Sequence, residues 1–280
     1  MPSPPQSLSA GMGPARGRGA RWAGKLWQHL CSRTTLSLAG GFLLWEIVGR
    51  YVVTSKILFA PFSEVVGIGM QMLLHDDLLA HIRLSMLQFL LGFGLAGLVG
   101  VSIGVLMAAS RWARDLLDPW VSFLYSSPLV ALMPFYILVF GIGISSKVAI
   151  VFTVAVFPIL LNTTTGIRSV DQNFVEVAQA FDCNRRQLFT YVLLPASLPY
   201  IMVGLRLGIG RGLTGVVVGE LFASQAGLGH IIAQAGQSFD TPTLLMGVLV
   251  FSLFGVLLMK TVDWLERRVA PWRKLALEQE

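Results

Sequence analysis

EVAQAFDCNRRQLFTYVLLP, Glu176 to Pro195, is a polar stretch lying between two long apolar ones. It is too elaborate for a simple turn. Ala178 and Phe181 are three residues apart and fall on one face if the stretch is helical. Asn184 and Gln187 stand at capping-box spacing, so the pattern predicts a first helix ending near Asp182-Cys183 and a second beginning at Asn184. Leu188, Tyr191 and Val192 give the second helix an apolar edge, and Pro195 is expected to stop it. A helix-break-helix between membrane spans, with an apolar side of its own, reads as a knob made to fit another protein.

The surroundings place this knob in a membrane protein. Of 280 residues, 54% are hydrophobic and 13% charged, with a mean hydropathy of +0.69. Soluble domains do not combine so much apolar content with so little charge. The reading is an all-α polytopic membrane bundle of about six spans, each long enough for a hydrocarbon core of roughly 30 Å. The spans are expected near 34–53, 78–109, 119–140, 147–166, 197–222 and 242–262, with Pro61 to Leu74 as an amphipathic surface segment. Residues 1–33 form a basic, partly disordered segment without a convincing signal peptide. The transmembrane domain covers 34–266 with its inner knob at 172–195, and 267–280 form a basic tail.

Orientation follows from lysine and arginine. With the N-terminus inside, fifteen fall on the inner side, and only Arg50, Lys56, Arg83 and Lys147 on the outer. Both termini and the knob are therefore expected in the cytoplasm. The net charge of +6 is topological and does not indicate a nucleic-acid partner. Cys31 and Cys183 both fall on the inner side, so no disulfide is expected, and the scattered histidines lack ligand spacing.

Within the spans, Gly92, Ala96, Gly100, Gly104 and Ala108 repeat a small residue every four positions, as do Gly204, Gly208 and Gly212. Such stripes let helices approach closely in lipid. Pro128 and Pro134 are expected to bend the third span, which makes it a candidate pathway lining. Arg206 and Arg211 are costly in a membrane, about 3 kcal/mol each on insertion scales, unless they meet water or a partner. At 100° per residue Arg211 shares the glycine face and Arg206 points almost opposite. Each can add positive potential to an anion pathway or pair with a neighbouring helix, Glu46 being a candidate partner. Glu46 can also pair with Arg50, four residues on.

Glu176, Ala178, position 182, Val192, Leu194 and Pro195 fall where the EAA motif of ABC-importer permeases has its Glu, second Ala, Gly, aliphatic residue, Leu and Pro. The chain resembles that family. The family glycine is Asp182 here, a residue type that tolerates positive φ better than most. The string Pro128, Ala131, Pro134, Ile137, Phe140, Gly141, Gly143, Ser146, Lys147 resembles the nitrate, taurine and aliphatic-sulfonate branch. Pro158-Ile159-Leu160, Asn162-Thr163, Gly166 and Gly227-Leu228-Gly229 fit it too. His81 and Ser85 also match, whereas Gln88 stands in place of the usual Arg.

The resemblance implies a type I importer permease fold of the MetI kind. It also implies an ATPase-coupling surface made of Glu176, Val177, Ala178, Phe181, Asp182, Asn184, Arg185, Leu194 and Pro195. Implied partners are a second permease copy, two ATPase subunits and a periplasmic or lipid-anchored solute-binding protein, with this chain in the bacterial inner membrane. The chain has no GxxxxGK[ST] loop. ATP and Mg would be used by the partner ATPase, and no cofactor is expected on this chain, which is not expected to be an enzyme. The solute would be small and anionic. The rival reading is an autonomous secondary transporter or channel for small anions, which needs no elaborate inner loop. An intramembrane enzyme would need a clustered nucleophile and base, and no such set is seen in the spans.

Overall fold

Two glycine stripes position everything else. The structure, a computed structural model, describes residues 33–271 other than 54 and 56, so most of the basic N-terminal segment and residues 272–280 of the tail lie outside the described residues. Within them every regular element is helical. In chain order these are α1 (Arg33–Ile47), α2 (Phe62–His75), α3 (Leu78–Ala109), α4 (Arg111–Ser126), α5 (Met133–Phe140) and α6 (Ile144–Arg168). There follow α7 (Gln172–Ala180), α8 (Arg185–Leu188), α9 (Leu194–Ala223), α10 (Leu228–Gln237) and α11 (Thr241–Val269).

Helix α6 is the axis of the bundle, packed closely against both α3 and α9. Ile150, Val151, Ala155 and Ile159 are wholly buried along it. A Cβ on Gly92 would lie 2.6 Å from Val151 Cβ, and one on Gly104 would lie 2.7 Å from Thr163 Cβ. The second stripe meets the same helix: a Cβ on Gly204 would lie 2.9 Å from Asn162 Cβ, and one on Gly208 would lie 3.1 Å from Ile159. Both stripes therefore remove side chains where α6 backbone and side chains need the room. Thr164 Oγ1 also donates to the Gly104 carbonyl at 3.2 Å, a bond that requires this approach.

Four helices among the described residues, α3, α6, the run through α9, and α11, are long and apolar enough to cross a membrane. The expected third span, 119–140, is not one helix. It begins inside α4 and is broken at Ser127-Pro128, with an 84° bend between Arg111–Ser126 and Leu129–Phe140. The cause is local: the residue before a proline is pushed to extended backbone, and Ser127 has ψ 149°. Pro134 bends nothing, because it lies in the first turn of α5, where a missing N–H goes unnoticed. The expected first span is α1 plus a wide π turn, Val48–Val52, starting at the edge of the described residues.

The amphipathic segment forms α2 as expected. It is pinned to α1 by Trp45 Nε1, which donates to the Ala60 carbonyl at 3.0 Å, and by Glu46, which accepts from the backbone N–H and hydroxyl of Ser63. Glu46 also pairs with Arg50 at 2.7 Å, so it is not the partner of an arginine in α9. Lys147, counted among the outer charges, is instead 1% exposed, with Nζ donating to the Ile142 carbonyl.

The packing predicts that Gly104→Leu destabilises the bundle by about 2–3 kcal/mol through overpacking. Gly94→Leu, whose Cβ meets nothing within 4 Å, should stay within about 0.5 kcal/mol of the parent. Thermal unfolding in detergent compares them directly; equal losses in both variants would refute this account of the stripe.

Candidate functional site

The knob has the predicted break, built in detail by its own residues. Helix α7 starts at Asp171, whose side chain accepts from Asn173 N–H at 2.9 Å. It ends in a left-handed cap. Asp182 has φ 52°, its N–H donates to the Gln179 carbonyl at 2.9 Å, and Cys183 N–H donates to the Ala178 carbonyl at 3.1 Å. Two otherwise orphaned carbonyls are thus satisfied, and Asp182 occupies the position that favours glycine. The capping box is present: Gln187 N–H donates to Asn184 Oδ1, and Asn184 N–H to Gln187 Oε1, both at 2.9 Å. Asn184 caps the second helix, not Asp182.

Two expectations need correction. Ala178 and Phe181 do not share a face: Ala178 is 6% exposed and turned inward, while Phe181 lies past the helix end at 79%. The outward apolar face is Phe174, Val177 and Phe181, joined by Tyr191, each more than half exposed. Nor does Pro195 stop a helix. Residues Arg185–Phe222 form one continuous helical run of 38 residues, in which α8 passes through a π turn, Phe189–Leu193, into α9. Pro195 lies in the first turn of α9, and Leu194 and Pro195 are half-buried there. The π turn supplies the bonding slack that lets a proline stand inside a continuous run. Glu176 and Arg185 are exposed on the same segment.

The two intramembrane arginines have separate fates. Arg206 reaches α11, where it pairs with Asp263 at 2.7 Å and with Glu266, itself 6% exposed. Arg211 has no ion pair among the described residues. It is exposed and lines a cavity of 480 Å³ with Tyr125, Ser127, Pro128, Val154 and Thr214. The break at Pro128 and the cation on the glycine face of α9 thus meet in one place, which Pro134 does not line. A third polar cluster, His81, Ser85 and Glu220, lies at the far end of α9 and was missed in the sequence. Its sequence signals are the family matches at His81, Ser85 and Gly227-Leu228-Gly229, together with an acid near a span end, and nothing local joins them.

The description "binding-protein-dependent transport system inner membrane component" matches residues 100–271. The chain belongs to that family. The taurine transport system permease protein TauC of Escherichia coli (strain K12) is 31% identical over 255 residues, covering 88% of this chain and 93% of TauC. The aliphatic sulfonates transport permease protein SsuC of Bacillus subtilis (strain 168) is 35% identical over 231 residues, covering 82% of this chain and 83% of SsuC. Among solved structures, an inward-facing MetNI methionine ABC transporter chain superposes with a TM-score of 0.59 at 18% identity, covering 69% of this chain and 95% of that one. The permease therefore has the type I importer fold expected from its EAA-like segment.

The left-handed cap predicts the response to change at position 182. Asp182→Gly should be at least as stable as the parent, and Asp182→Ala should lose about 1 kcal/mol. Melting temperatures of the two variants check this; a stable alanine variant would show that the positive φ is not required.

Proposed function

We propose that the chain is the transmembrane subunit of an ABC importer for a small anion of the sulfonate, taurine or nitrate kind. Two copies would enclose the pathway in the inner membrane, with both termini cytoplasmic. Separate ATPases would dock on residues 172–195, and a solute-binding protein would deliver the solute from the other side. The observation that carries this reading is the set of exposed apolar side chains Phe174, Val177, Phe181 and Tyr191 on the same segment as the exposed Glu176. Four large apolar side chains held outward by a capped helix-break-helix fit a protein partner better than water. The anion reading is supported by Arg211, which faces the cavity at the Pro128 break instead of a carboxylate. A guanidinium there attracts sulfonate or nitrate oxygens without a buried ion pair to break first.

Charge reversal at Glu176 tests the docking. Glu176→Lys should weaken co-purification of the ATPase about 100-fold while the permease still inserts; normal uptake by a well-inserted variant would overturn the reading. The arginines should separate cleanly. Arg211→Ala should lower uptake about tenfold with stability within about 0.5 kcal/mol of the parent. Arg206→Ala should instead cost about 2 kcal/mol by stranding acidic side chains on α11, less than a fully buried pair because Asp263 is part-exposed. Uptake assays and melting temperatures on the same preparations decide it, and a reversed pattern would move the pathway role to Arg206.

A further inference from the structure

Three backbone N–H groups at the start of α10 are held by side chains of other helices. The leading N–H groups of a helix have no partners within it. Here Gly227 N–H donates to His81 Nδ1 at 2.9 Å, Leu228 N–H to Ser85 Oγ at 2.9 Å, and Gly229 N–H to the Glu220 carboxylate at 2.6 Å. Ser85 Oγ–H in turn donates to Glu220 at 2.7 Å. His81 and Ser85 lie one turn apart on α3, and Glu220 closes the set from α9. Glu220 is 1% exposed and Ser85 3%. The fit admits only glycine at both flanking positions. Gly227 has φ +115° and any Cβ there would overlap the Glu220 carboxylate, while a Cβ on Gly229 would lie 2.7 Å from Glu220 Cβ. A carboxylate at a helix N-terminus is also favoured by the helix dipole.

Glu220 stands near one end of the continuous run Arg185–Phe222, and the capped break at Asn184 stands at the other. At 1.5 Å per residue those 38 residues span about 57 Å. One helix therefore carries the docking knob at its start and holds α10 at its finish. We propose that His81, Ser85 and Glu220 are positioning residues that clamp α10 to the end of α9. A displacement of the knob is thereby delivered to α10, on the far side of the bundle. The proposal rests on the reading of residues 172–195 as the ATPase-docking element.

The test uses the full transporter of permease, ATPase and binding protein in lipid nanodiscs, with Cys31 and Cys183 replaced by serine. Spin labels at Ser169→Cys, an exposed position just before the knob, and at Gln237→Cys, the exposed end of α10, report inter-copy distances with and without ATP and vanadate. The unmodified clamp should give a distance change at both labels. Glu220→Gln should keep the change at position 169 and lose at least half of that at 237, with uptake down about tenfold while ATP hydrolysis continues. Where Glu220→Gln does not insert, Ser85→Ala, which deletes a single hydroxyl, carries the same expectation. An undiminished change at 237 in the variant overturns the proposal, as does equal loss at both labels. No change at 169 in the transporter with its clamp intact overturns the docking reading, and the proposal with it.

Discussion

The close approach of α3 and α9 to α6 is the constraint on which the rest depends. In lipid there is little hydrophobic gain from bringing two apolar helices together, so contact area and backbone proximity must supply the stability. Two stripes of small residues deliver both, one from α3 and one from α9, against the same helix. Because α6 is held this way, α3 and α9 stand at fixed positions, and their polar residues can be placed accurately. The cavity at the Pro128 break, the Arg206 pairs and the cap on α10 all hang from helices aligned by those contacts.

The same logic explains how a bundle this apolar carries charge. Arg206 and Glu220 are satisfied by specific partners on neighbouring helices, and Lys147 by a backbone carbonyl. Arg211 faces a cavity instead. A cation without a carboxylate partner in such a setting is expensive unless water or a solute reaches it. The protein thus spends its polar contacts on fixing helices in some places and leaves one cation open where the helix path is broken.

Much of this was legible in the chain itself because it depends on neighbours in sequence. The glycine spacing, the capping box of Asn184 and Gln187, the break near Asp182 and the separation of Arg206 from Arg211 are all set within a few residues. The differences arise from local backbone geometry at two prolines and from one more distant contact. Pro195 was read as a stop because a proline ends a helix that bonds only in the α pattern; the preceding π turn removes that premise. Glu46 was offered to an arginine of α9, yet Ser63 and Arg50 already hold it. The bend expected in 119–140 is present at Pro128 alone, where the chain turns by 84°, and Pro134 adds none because it lies in the first turn of a helix.

Sequence alone determined the class of the molecule, its long apolar helices α3, α6, α9 and α11, and the knob between α6 and α9, since hydropathy, spacing and capping act over short stretches. Only the tertiary structure decided which polar groups meet. Asp263 and Glu266 lie far along the chain from Arg206, and His81 and Ser85 far from Gly227, Leu228 and Glu220. No local pattern encodes such pairings. They exist because helices brought together by their small residues place Arg206, Glu220 and the leading N–H groups of α10 within reach of suitable partners.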